Sequence, residues 1–333
     1  MNAERNLKLY LEKGYVTKQD RKLLLFLLFY SFQIAKRVFS KINNETKASS
    51  GTTSPLTPAA YTGRNSVIKL IQQRLQESSL SSIKAAIVHG SIGDGNEISY
   101  SDLDGILIID PKEIRSAKHL FELHQLIKKT EELFFKQDAL QHHGWAIFLM
   151  NDFLDFKDHL FPIDLIQNGK TFYAAKGLSL EVRVSSERDQ YQIVLQNLCT
   201  SIAHKTSHLS TLKNQYIFKN LLSEIMLLPA AFLQAQYSKT ISKKESYSIL
   251  KSDFPAMDST ILDWASDIRK NWVQDPINYK TQLFHQFKRA GFPISFLAPN
   301  TPENIRVQLD ESWKNKVITL CNSLLMDSNQ SKG

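Results

Sequence analysis

Cysteine is almost absent from this chain of 333 residues. Cys199 and Cys321 stand far apart without C-x-x-C spacing, which excludes a disulfide framework or a zinc ribbon and points to a reducing compartment. No stretch reaches the roughly 18 continuous apolar residues of a spanning helix. Met1-Asn2-Ala3-Glu4-Arg5 does not lead into a signal-peptide pattern, so the expected location is the cytoplasm. No repeat of fixed length is present. Lysine and arginine form no long block; the net charge of +8 and pI near 9.2 favour an anionic partner without establishing nucleic-acid binding. Gly93-Asp94-Gly95 lacks the G-x-G-x-x-G order of a dinucleotide loop, and His204 and His208 lack the glutamate of H-E-x-x-H. No local motif supports Ser-His-Asp or Cys-His catalysis. A hydrophobic content of 42% is enough for a substantial core and argues against general disorder.

What the chain does hold is one stretch suited to chemistry. An apolar run, Ala85 to Val88, ends in His89-Gly90-Ser91; a polar turn follows, and Ser101-Asp102-Leu103-Asp104-Gly105 opens a second apolar run, Ile106 to Ile109. Alternate residues of a strand face one side, so Asp102 and Asp104 are expected to project together from a strand start whose face Ile106 and Ile108 continue. Adjacent carboxylates repel unless a cation sits between them. Mg²⁺ is the expected cation, because it takes oxygen ligands and is commonly held by one or two carboxylates plus substrate phosphates. Two ions are expected, with Mn²⁺ the alternative metal. Gly90 would let backbone approach a triphosphate, and Ser91 would offer a hydroxyl and an amide to its oxygens. Together these residues indicate nucleotidyl transfer, with the metal-bound aspartates neutralising charge on the reacting phosphorus and on pyrophosphate.

The order of apolar strand, Gly90-Ser91, ten intervening residues, Asp102-Leu103-Asp104 and apolar strand resembles the signature of the DNA polymerase beta-like nucleotidyltransferase superfamily, particularly its small bacterial and antibiotic-modifying members. The resemblance covers 64–176. It implies an α/β (α+β) fold, a small mixed twisted sheet followed by an α-helical bundle. It also implies a third carboxylate on a neighbouring strand, as metal ligand or as base for the attacking hydroxyl. Asp164, in Phe161-Pro162-Ile163-Asp164-Leu165-Ile166, is the best position for it; the competing strand, His143 to Met150, holds no acid. The implied activity moves an NMP group from an NTP, such as ATP, to a hydroxyl-bearing acceptor and releases pyrophosphate. Two alternatives stay open: a nucleotide-binding protein of the same fold without turnover, and an RNA-modifying terminal nucleotidyltransferase.

Residues 1–42 read as a helical appendage. Its segment 23–32 is apolar on all sides, and Arg21, Lys22, Lys36 and Arg37 flank it, which gives two readings: a buried helix, or membrane-surface contact through 21–37. Residues 43–60, rich in Ser, Thr, Gly and Pro, read as a flexible linker. The nucleotidyltransferase domain is expected at 61–178 and a helical substrate-side domain at 179–333. A helix is expected at 64–77 with Val67, Ile68, Ile71 and Leu75 inward, and another from Pro111 to about Lys136. Asn168-Gly169 between apolar runs signals a hairpin. Lys176, just beyond, is within reach of a phosphate in this reading. His89 would lie beside the phosphate site. Lys213, Tyr216 and Lys219, like Arg269, Lys270 and Trp272, mix charge with aromatics as base-stacking sites do, and as the rims of amphipathic helices also do.

Overall fold

A computed structural model describes residues 53–138, 140–185, 188–273 and 298–330. The expected appendage at 1–42, its membrane-surface segment 21–37 and part of the helical domain expected at 179–333 lie outside them.

The protein is mixed α/β, with an open five-stranded sheet and eleven helices among the described residues. Strands β1 (Ser54–Pro55) and β2 (Ala59–Ala60) lead into helix α1 (Ser66–Glu77), strand β3 (Ile83–His89), the single turn α2 (Gly90–Gly93) and strand β4 (Asp104–Ile109). Helix α3 (Ala117–Gln137), strand β5 (Ala146–Leu149), strand β6 (Phe156–Lys157), helix α4 (Ile163–Gln167) and strand β7 (Lys170–Ala174) follow. The short strands β8 (Glu181–Val182) and β9 (Val184–Ser185) close this half. The remainder is helical: α5 (Arg188–Ser207), α6 (Gln215–Ile225), α7 (Leu228–Tyr237), α8 (Lys243–Asp253), α9 (Thr260–Lys270), α10 (Glu303–Arg306) and α11 (Glu311–Gln330).

The main sheet runs β2-β7-β3-β4-β5, antiparallel at its centre and parallel at both edges. Residues of β3 and β4 are buried on both faces. Ala86, Val88, Leu107 and Ile109 pack with Val67, Ile68, Ile71 and Leu75 of α1 and with Leu123, Ile127 and Phe134 of α3. Ala85, Ile87, Ile106 and Ile108 pack on the other side with Phe153, Phe156 and Ile166. Asn65 caps α1, its side chain accepting from Val67 and Ile68 N–H, so the four inward positions of the helix emerge as expected. Each fully buried aliphatic contributes about 1.5–3 kcal/mol. The helices after residue 188 form a third core into which Tyr100 and Leu140 of the sheet half are inserted.

Three expectations are corrected. Pro162 begins helix α4 rather than a strand, because Ile166 is buried against Ile87 on that face of the sheet. Asn168-Gly169 therefore ends a helix instead of turning a hairpin: the Asn168 amide donates to Asp164 O, and a Cβ on Gly169 would lie 2.6 Å from Ile87 Cγ2. Residues 54–60 are not free linker, since β1 pairs with β8, β2 pairs with β7, and Leu56 is buried. The helical stretch Gln215–Tyr237 divides into α6 and α7. It is the one helical stretch among the described residues long and apolar enough to cross a bilayer, and 67% of its apolar window is buried inside the fold.

Candidate functional site

The site forms where β3 and β4 end together. His89 pairs with Asp104 across the ladder, and the chain then turns at Gly90 with φ +67°. A Cβ there would be strained by that φ and would sit 3.1 Å from Asp104 Oδ2, so only glycine brings the bend this close to the acid. The bend continues into α2, and the following loop is fixed by the Ser91 hydroxyl, which donates to Ser101 Oγ at 2.8 Å. Ser101 Oγ in turn accepts from Ile98 N–H at 2.9 Å. The sequence expectation that the Gly90 bend and the Asp-x-Asp segment meet is realised for Asp104, the first residue of β4. Asp102 stands just before the strand, with Leu103 between the two acids fully buried in the opposite core.

Asp102 is held by the helical half. Its Oδ1 accepts from Lys219 Nζ of α6, and its Oδ2 lies 3.6 Å from His142 Nδ1. Lys219 is fully buried and also donates to Asp138, equally buried at the end of α3. Gln141 ties the two entering segments together: its Oε1 accepts from Leu103 N–H at 2.9 Å, and its Nε2 donates to Leu103 O at 3.0 Å and His143 O at 2.8 Å. His142 stacks on Tyr216 at 4.4 Å. Tyr100 anchors the same loop in the bundle, its hydroxyl donating to Lys219 O at 2.7 Å, with the Arg269 guanidinium 4.7 Å from its ring centre.

Charge at this site is displaced from ordinary values. Burial opposes ionisation of Asp102, but neighbouring His142 and Lys219 outweigh it and hold the carboxyl well below the usual range. Burial and then the Asp102 charge push Asp104 up to about 6, against the pull of His143, Lys243 and Lys219. Burial, then Arg269, pulls Lys243 down to about 8, while Asp104 and Asp102 act the other way. The cations on α6 and α8 thus act on the same two acids.

Of the sequence-derived residues, Gly90, Ser91, Asp102 and Asp104 come together here. Asp164 does not stand on a strand beside them. It lies in the first turn of α4, where burial and then the charges of Asp158 and Glu245 raise its carboxyl. The strand hydrogen-bonded beside β4 is β5, with Ala146 opposite Ile106 and no acid along it. Lys176 is exposed and follows β7 at Ala174, which pairs with Ala85 at the end of β3 remote from Gly90, roughly 15–20 Å away at 3.3 Å per residue. Among the described residues no three His, Cys, Asp or Glu side chains gather around one ion position. As a donor set, Asp104 and Asp102, whose Oδ2 also faces His142 Nδ1, have the hard-oxygen chemistry that one divalent cation completed by phosphate and water oxygens would take. Asp102 Oδ1 accepts from Lys219.

Sequence reasoning offers Lys219 and Arg269 as members of base-stacking groups or of helix rims, and does not single out Asp138, Gln141 or Lys243. A signal for Lys219 exists: it shares the apolar face of Gln215, Phe218, Leu222 and Ile225, a position lysine occupies when a buried partner awaits it. Lys243 opens a helix, at the end where a cation opposes the helix dipole. No family model matches this chain, and no curated protein matches it.

Proposed function

We propose that the protein transfers a nucleoside monophosphate from a nucleoside triphosphate to a hydroxyl-bearing acceptor, with release of pyrophosphate, in the cleft between Gly90–Asp104 and helices α6, α8 and α9. The observation that carries the reading is the left-handed Gly90 bend seated 3.1 Å, measured from its missing Cβ, from Asp104 Oδ2. In this reading the Gly90–Ser91 bend approaches the phosphates, and Lys243 with Arg269 faces the anionic tail from the helical side. Asp102 and Asp104 would hold Mg²⁺, which when bound supplies Lewis-acid polarisation of a phosphate oxygen. Lys219 positions Asp102, and Gln141 fixes the backbone between the two acids. Catalysis of this kind rests on positioning and electrostatics, so removal of either aspartate costs far more than removal of a surface lysine.

The test is pyrophosphate release with Mg²⁺, each of the four triphosphates, and hydroxyl acceptors that include an RNA oligonucleotide. Activity in the wild type that is abolished by both Asp102→Asn and Asp104→Asn supports the reading; activity that persists in both variants overturns it.

A second reading, nucleotide binding without turnover, is favoured by two observations: Lys219 occupies Asp102 Oδ1, and β5 brings no carboxylate to the site. Triphosphate binding by calorimetry that is lost in Asp104→Asn, with no pyrophosphate released from any acceptor, selects this reading over the enzymatic one.

A further inference from the structure

The two cysteines of the chain, separated by 122 residues, are brought together in the helical core. We infer that Cys199 and Cys321 form an oxidisable dithiol that closes into an intramolecular disulfide and staples helix α11 to helix α5.

The argument begins with register. Gln192 Nε2 of α5 donates to Ser328 O of α11 at 3.1 Å. Seven residues further along α5 stands Cys199, and seven residues back along α11 stands Cys321. The helices are therefore antiparallel, and two turns on, the cysteines fall directly opposite each other on the facing sides. Cys199 Sγ lies 3.8 Å from the Cys321 carbonyl oxygen, so one thiol already touches the backbone of the other residue. The two thiols also stand within hydrogen-bond reach of each other, so closing a disulfide asks for a further short approach of the sulfurs. Both residues are buried among Leu195, Ile202, Val317 and Leu324, which leaves each thiol with the other as its natural reaction partner. The Cys321 thiol hydrogen-bonds to Cys199 and holds its pKa down.

With a glutathione disulfide as oxidant, the chemistry balances. The Cys199 thiolate attacks one sulfur of the oxidant and displaces a glutathione thiolate. Cys321 loses its proton and attacks the mixed disulfide at Cys199, displacing the second glutathione. Two protein thiols become one disulfide while one glutathione disulfide becomes two glutathione thiols. The absence of a disulfide framework from the sequence is not in conflict, since this pair is reduced at a reducing poise and oxidised when the poise shifts.

The experiment uses the full chain equilibrated across glutathione buffers from fully reduced to fully oxidised, with low urea to let the helix pair open. After acid quenching and unfolding, thiols are counted by PEG-maleimide gel shift and intact mass. The expected oxidised species carries no PEG, has lost two hydrogens, stays monomeric, and melts about 5–10 °C higher than the reduced chain, because a loop this long is closed. Cys199→Ser and Cys321→Ser each retain one reactive thiol and show no such rise; the corresponding alanine variants replace them if serine disturbs the core. Two PEG adducts at the most oxidising poise, glutathione on both cysteines without an internal bond, or a lower melting temperature after oxidation each overturn the inference.

Discussion

Replacing Lys219 with methionine keeps the length of a buried side chain and removes its charge. In the wild type this ammonium is shared by Asp102 and Asp138, of which Asp138 is as fully buried as the lysine itself. At an effective dielectric near 20, each contact represents about 4 kcal/mol of attraction, about 8 kcal/mol together. Desolvation of the lysine offsets several kcal/mol of that, so Lys219→Met is expected to cost about 3–5 kcal/mol, the range for breaking a buried pair from one side. The loss has a pH signature. Asp102 lies below its ordinary value of 3.8 in the wild type, so its stabilising contribution is present above that pH and lost as pH falls through the lower folded value. Asp138 is raised by burial against the pull of Lys219; without the lysine its neutral form is favoured further, and the variant regains stability as pH falls toward 3.8. The gap between wild type and variant is therefore widest near neutrality and narrows toward pH 4. Urea unfolding followed by tryptophan fluorescence measures it, with Trp264, Trp272 and Trp313 reporting the bundle and Trp145 the sheet. Adding Asp138→Leu to Lys219→Met should restore part of the loss. A variant within about 1 kcal/mol of wild type at pH 7, or a gap that does not change with pH, would refute the reasoning.

Lys243→Met is expected to raise stability while lowering triphosphate affinity about tenfold or more. Lys243 sits near 8 instead of 10.5, so the unfolded chain binds more protons between those values, and wild-type stability rises with pH across that window; the variant lacks the slope and gains up to about 3 kcal/mol at pH 7, measured by urea unfolding and calorimetric titration. Gly90→Ala forces a side chain onto a left-handed residue and should cost about 1–2 kcal/mol, with a larger loss of triphosphate binding because the added methyl crowds Asp104. Burial pulls His89 down to about 4 against the charge of Asp94, so wild-type stability should fall as pH drops from 6.5 to 4, by about 3 kcal/mol at most; His89→Gln should flatten that part of the melting-temperature profile.

The contrast between what the sequence makes legible and what it hides follows from the range of the interactions. Helix α1 is readable because its cap and its inward residues lie within one segment, and β3–Gly90–β4 because the bend and Asp104 are joined by a short loop. Asp164 misleads for the opposite reason: an apolar run broken by one acid suits a strand or a short buried helix equally, and the choice is made by packing against Ile87 from a different segment. Lys219 lies 117 residues from Asp102 and 81 from Asp138, so no local pattern in the sheet half announces that the acid pair is met by a lysine from the bundle. That distant contact changes how the motif must be read. Two carboxylates one residue apart, taken alone, call for a metal ion to offset their charge. In the folded chain Lys219 has already supplied part of that compensation at Asp102, while Asp104, pushed up to about 6, remains the acid whose charge is least satisfied. A divalent ion would therefore be drawn first to Asp104, beside the Gly90 bend, and Asp102 would join through the oxygen that faces His142.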